Sequence, residues 1–166
     1  PYLPLAVRGP PSSRNRLRRL PKTKQPLDCF VCQLSTNDAT FRSRLGTIGG
    51  SFDPADFDTG TAAGGIEAII AFARDTWHCP VVFLTGTQYD NPRYHKLVNL
   101  LLDAEEKWDI NVIDLWHDRA LNNISEDKRR FYMADGVHPT RAGYLLWWTP
   151  AIRRGLCRVL ARKEHN

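Results

Sequence analysis

The run Asp135-Gly136-Val137-His138-Pro139 places a carboxylate three positions before an imidazole. Within one tight turn, that spacing can bring the carboxylate to the Nδ1–H of the ring. Such a bond fixes the tautomer and leaves Nε2 free to act as a general base. Pro139 suits the first position of a helix, where a missing N–H costs nothing. The pair is therefore expected on a rigid turn that opens the last helix, facing outward. An Asx-type turn before a capped helix uses the same residue types, so the pair alone does not make a catalyst. A second candidate is Asn37, within Ser35-Thr36-Asn37-Asp38. A side-chain amide donates hydrogen bonds without titrating, which suits it to a developing oxyanion at any pH. The bland alternative for Asn37 is a turn or cap residue. His78, His95 and His117 are scattered and lack metal-ligand spacing, so neither a metal nor another cofactor is expected.

These residues must be held by something, and the pattern of apolar runs says what. Residues 27–34, 80–86 and 110–115 are continuous and mostly apolar, as strands covered on both faces are. Residues 2–7 read as a further short strand ending near Gly9. Between them, Ile66, Ile69, Ile70, Ala73 and Trp77 recur at helical spacing, with Thr59 or Thr61 available as a cap. Asn91-Pro92 is a cap followed by a first-turn proline, and Tyr94, Leu97, Val98, Leu101 and Trp108 then form one apolar stripe. The final helix should bury Leu145, Leu146, Ile152, Leu156, Val159 and Leu160, with Pro150 kinking or breaking it.

Strands alternating with helices imply an α/β fold with a doubly wound parallel sheet. Chemistry in such sheets collects at the carboxyl ends of the strands. Gly9, Asn37, Tyr89 with Asp90, and Trp116 with His117 all fall just past a strand. Tyr89, Asp90, Trp116 and His117 are therefore candidates for lining a pocket, and ordinary loop surface is the competing reading.

The 166 residues suffice for one domain with a real core. No apolar run approaches the roughly 20 residues of a membrane span. Four cysteines are too few and too scattered for a disulfide scaffold, which favours a reducing compartment such as the cytoplasm. Cys29 and Cys32 share a C-x-x-C spacing inside an apolar strand and are expected to be buried thiols. The net charge of +5 is unevenly spread. Residues 1–24 hold seven basic side chains and no acid, which could steer an anionic partner. No aromatic residue interleaves with these arginines, so the run reads as a solvated helix face and no nucleic acid is expected as partner.

In this order and at these strand ends, the motifs resemble the SGNH (GDSL-type) esterases and lipases. The resemblance rests on Gly9 after a short strand, Ser35-Thr36-Asn37-Asp38 after a buried one, and Asp135-x-x-His138-Pro139 before a terminal helix. It implies a three-layer α/β/α fold over nearly the whole chain. It also implies a serine ester hydrolase with His138 as base, Asp135 as its orienting acid, and Asn37 with the Gly9 backbone N–H as oxyanion hole. The implied substrate is a small acyl ester, such as an acetylated carbohydrate or a short-chain lipid. Two departures stand out. Ser35 occupies the position of a family glycine, and the Gly-Asp-Ser block that supplies the nucleophile does not occur. Ser12, Ser13, Ser35 and Ser51 lack the strand-then-turn setting that would hold a nucleophile against His138. The first strand and helix are thus expected to be missing, with the serine supplied by a separate or preceding N-terminal segment. A chain without that strand is not expected to fold alone to the family structure. The alternative is a non-catalytic binding or scaffold relative.

Overall fold

The computed structural model describes Leu20 and residues 25–163. The expected strand at residues 2–7, Gly9 and, apart from Leu20, the basic run of residues 8–24 lie outside the described residues.

Three short strands form a parallel sheet: β1 (Phe30–Gln33), β2 (Val81–Leu84) and β3 (Asn111–Ile113), in the order β1-β2-β3. Phe30 pairs with Val81 and Gln33 with Leu84, while Val82 pairs with Asn111 and Leu84 with Ile113. The paired segments are shorter than the apolar runs that contain them. Single backbone bonds extend them, from Leu34 N–H to the Leu84 carbonyl (2.8 Å) and from Thr85 N–H to the Ile113 carbonyl (3.2 Å). Beyond those bonds the chain turns away, and the candidate site residues begin. The described strands keep sequence order, so the reversal that defines double winding is not among them.

Parallel neighbours need crossover connections, and helices supply them. After β1 come α1 (Thr36–Thr40) and, beyond a 3₁₀ turn at Pro54–Asp56, α2 (Ala62–Trp77); α3 (Pro92–Trp108) joins β2 to β3. Thr61 caps α2 by accepting the Gly64 N–H (3.1 Å), and Asn91 caps α3 by accepting from Arg93 and Tyr94. Gly64 is required by packing, because a Cβ there would lie 2.2 Å from the Asp58 carbonyl oxygen. The chain ends through α4 (Arg119–Asn122), α5 (Glu126–Tyr132), a π-helical turn (Gly143–Trp148) and α6 (Thr149–Lys163).

Alternation along the strands sends side chains to two cores. Phe30, Cys32, Val81, Phe83 and Val112 join the α2 and α3 residues Ile66, Ile69, Tyr94, Leu97 and Leu101. Cys29, Val82, Leu84 and Ile113 instead join Trp147, Trp148, Ala151 and Val159. Helix α6 therefore lies on the sheet face opposite α2 and α3.

Three expectations about burial need correction. Val31, in the first strand, is 43% exposed rather than covered. Leu145, Leu146 and Leu160 are also exposed. The reason is the π-helical turn: its wider winding breaks the 3.6-residue period on which the inward assignment of Leu145 and Leu146 rests. Pro150 falls at the second residue of α6, two residues after that turn, so regular α-helical winding is interrupted just before it, in keeping with the expected break. Cys29 and Cys32 are half-buried and Cys157 is exposed, and none of the three is in a disulfide.

Candidate functional site

Asp135 and His138 sit on the turn that joins α5 to the π-helical turn. The strand-like bridge between Met133 and Pro139 closes its base, with the Ala134 N–H donating to the His138 carbonyl (2.8 Å). Pro139 belongs to this bridge and does not open a helix, contrary to the sequence reading. Thr140 does that work: its hydroxyl oxygen accepts the Gly143 N–H (3.0 Å). Gly143 is the residue that lets the two segments meet, since a Cβ there would fall 2.0 Å from the Tyr132 carbonyl oxygen.

Both carboxylate oxygens of Asp135 are engaged. Oδ1 accepts the backbone N–H groups of Val137 and His138, each at 2.8 Å, and Oδ2 lies 2.7 Å from His138 Nδ1. The Val137 N–H, the imidazole and the His138 N–H, in that order, hold the Asp135 carboxyl down to about 2. The carboxylate is therefore ionised throughout the neutral range. With Nδ1 donating to it, a neutral His138 ring carries its proton there and presents a bare Nε2. The ring is 72% exposed.

Two contacts place the elements on either side of this turn at the carboxyl end of the sheet. Arg129 of α5 donates to the carbonyl of Gln88 (3.0 Å), in the loop that leaves β2. The Trp148 ring would touch a Cβ placed on Gly86, the second residue past β2. Helix α6 then runs back along the sheet, with Gly155 packed against Ile113. Asn37 lies at the same end, in the first turn of α1 four residues past β1. Its side-chain amide is half-buried and has no hydrogen-bond partner among the described residues.

Tyr89 and Trp116 come together, with ring centroids 5.6 Å apart, and both pack on the fully buried Tyr94. Tyr94 in turn accepts the Gly86 N–H (2.8 Å) through its phenol oxygen. Burial, and then the neighbouring Tyr94, push the Tyr89 phenol up, so it stays a neutral donor. Its hydroxyl is buried without a partner among the described residues. Asp90 is exposed in the following bend.

His117 carries a feature that the sequence reading passed over. It stands three residues after Asp114, the same spacing as in the first pair, and its Nδ1 lies 2.6 Å from Asp114 Oδ2. Asp114 Oδ1 accepts from Trp116 N–H, His117 N–H and the Thr85 hydroxyl, at 3.0–3.1 Å. The signal was legible as a second Asp-x-x-His directly after an apolar run. Among the described residues no group of three or more His, Cys, Asp or Glu could hold a metal ion, and no helix is long and apolar enough to cross a membrane.

No protein-family profile and no curated protein matches this sequence. Solved structures do resemble it. A protein from Lactobacillus plantarum superposes with a TM-score of 0.68 at 18% identity, over 90% of this chain and 72% of that one. A second structure gives 0.71 at 22% identity, over 88% and 70%. A possible lipase from Chitinophaga pinensis gives 0.67 at 16% identity, over 93% and 80%. The likeness is one of fold.

Proposed function

We propose that this protein is an ester hydrolase of the SGNH type, built on a three-layer α/β/α sandwich. The observation that carries the reading is the Asp135–His138 pair: a carboxylate ionised at neutral pH bonds Nδ1 and leaves Nε2 exposed at the carboxyl end of the sheet. In this reading His138 takes the proton of a serine hydroxyl as that oxygen attacks an acyl carbonyl. Asp135 stabilises the imidazolium, which returns the proton to the departing alcohol. A water activated by the same base then releases the acid. Asn37 and the Gly9 N–H hold the oxyanion, a task that suits an amide with unspent donors. The nucleophile is a serine outside these 166 residues, on a preceding or separate segment. The substrate is a small acyl ester, an acetylated carbohydrate or a short-chain lipid. Tyr89, Asp90, Trp116 and His117 line its pocket. A fold likeness to a possible lipase agrees with this and adds no residue roles.

Fluorophosphonate labelling of the product of the complete reading frame tests the proposal. The expected adduct lies on a serine outside the present sequence and is lost in His138→Ala. Absence of any adduct on well-folded protein would favour a non-catalytic scaffold.

A further inference from the structure

The chain holds two Asp-x-x-His pairs with one geometry. In each, Oδ1 of the aspartate accepts the backbone N–H of the histidine and of the residue before it, while Oδ2 meets Nδ1. The second pair is the more firmly built. Asp114 directly follows β3, its side chain is 21% exposed against 55% for Asp135, and the fully buried Thr85 just past β2 donates a further bond to it. Thr85 also accepts the Trp116 N–H (2.9 Å), so the loop is tied to both strands.

We infer that Asp114 and His117 form a second general-base dyad at the carboxyl end of the sheet, acting on an acyl ester through a bound water. The choice of substrate rests on the hydrolase reading; the dyad itself does not. His117 Nδ1 points to the carboxylate, so a neutral ring offers Nε2 on a side chain that is 42% exposed. Its surroundings are aromatic. The His95 ring stands 5.6 Å from His117 and 5.9 Å from Trp116, and Trp116 in turn packs edge-on against Tyr89 at 5.6 Å.

The step balances with water alone. His117 Nε2 takes a proton from water as the water oxygen bonds to the acyl carbon. When the tetrahedral intermediate collapses, the carbon–alkoxide bond breaks and the imidazolium gives its proton to the alkoxide. One ester and one water become one acid and one alcohol.

The test is p-nitrophenyl acetate hydrolysis in a His138→Ala background, which removes the first dyad. Adding His117→Gly is expected to lower the remaining rate about tenfold or more, with added imidazole restoring it and His78→Ala leaving it unchanged. A smaller fall, or a loss that imidazole does not restore in a protein of unchanged melting temperature, overturns the inference. Should His117→Gly fail to fold, diethylpyrocarbonate modification of the His138→Ala protein decides instead. Loss of rate must track the adduct on His117, and loss tracking any other histidine refutes the proposal. The two readings fail separately. A full rate in His138→Ala that disappears with His117→Gly would remove the first dyad from the chemistry and leave the second.

Discussion

At the scale of single residues, Asp135 is defined by what its oxygens accept, and this gives a pH dependence with a definite sign. Its pKa is about 2 in the folded protein against an ordinary 3.8. A lowered carboxyl contributes stability that is complete above the ordinary value and disappears as pH falls through the folded one. The melting temperatures of the wild type and Asp135→Asn should therefore differ most above pH 4 and converge as pH falls toward 2. A difference that grows on acidification would contradict the assignment. Tyr94 makes a second prediction. Its phenol oxygen is the acceptor for the buried Gly86 N–H. Tyr94→Phe strands that donor, which costs about 1–3 kcal/mol in denaturant unfolding. Both residues accept backbone N–H groups. Asp135 was legible because its partners are its immediate neighbours in sequence. Tyr94 was legible only as one apolar position in a stripe, since nothing local tells that a phenol will reach across to a strand end.

At the scale of elements, the sequence announces starts better than surfaces. Asn91-Pro92 reads as a cap from sequence alone and Thr61 is one of two cap candidates there, because capping is a local bond between a side chain and the next turn. The π-helical turn at Gly143–Trp148 has no such local signature, and it shifts which residues face inward. Hence Trp147 and Trp148 are buried while Tyr144, Leu145 and Leu146 are exposed. The strands were found but their ends were not, because pairing depends on a neighbour distant in sequence. Close contacts between elements predict the response to small substitutions. Gly64→Ala would place a methyl against the Asp58 carbonyl, forcing α2 from its loop. Thermal or urea unfolding should show a loss of about 1–3 kcal/mol, whereas Gly49→Ala, where a Cβ meets nothing within 4 Å, should show much less.

At the scale of the molecule, helix α2 and the end of α3 are joined by a nearly buried ion pair. Glu67 meets Lys107 and also accepts from Trp108 Nε1 (3.2 Å) and the Gly49 N–H (3.3 Å). Lys107 also donates to the Ser51 carbonyl and lies over the rings of Phe52 and Trp108. Such a pair brings little net stability, yet removing one partner strands the other charge. Lys107→Met should therefore cost about 3–5 kcal/mol by denaturant unfolding, with Glu67→Gln/Lys107→Met recovering part of the loss. Charge sums gave no hint of this network, because it depends on two helices meeting. The sheet, by contrast, could be inferred from three apolar runs, and with it the rim where the candidate residues gather. The account stands or falls on that rim being a site of ester chemistry. The deciding measurement is kcat/KM for p-nitrophenyl acetate in the wild type and in His138→Ala, with melting temperatures matched. Removal of the proposed base should lower it about a hundredfold to ten-thousandfold, and an unchanged value would contradict the account.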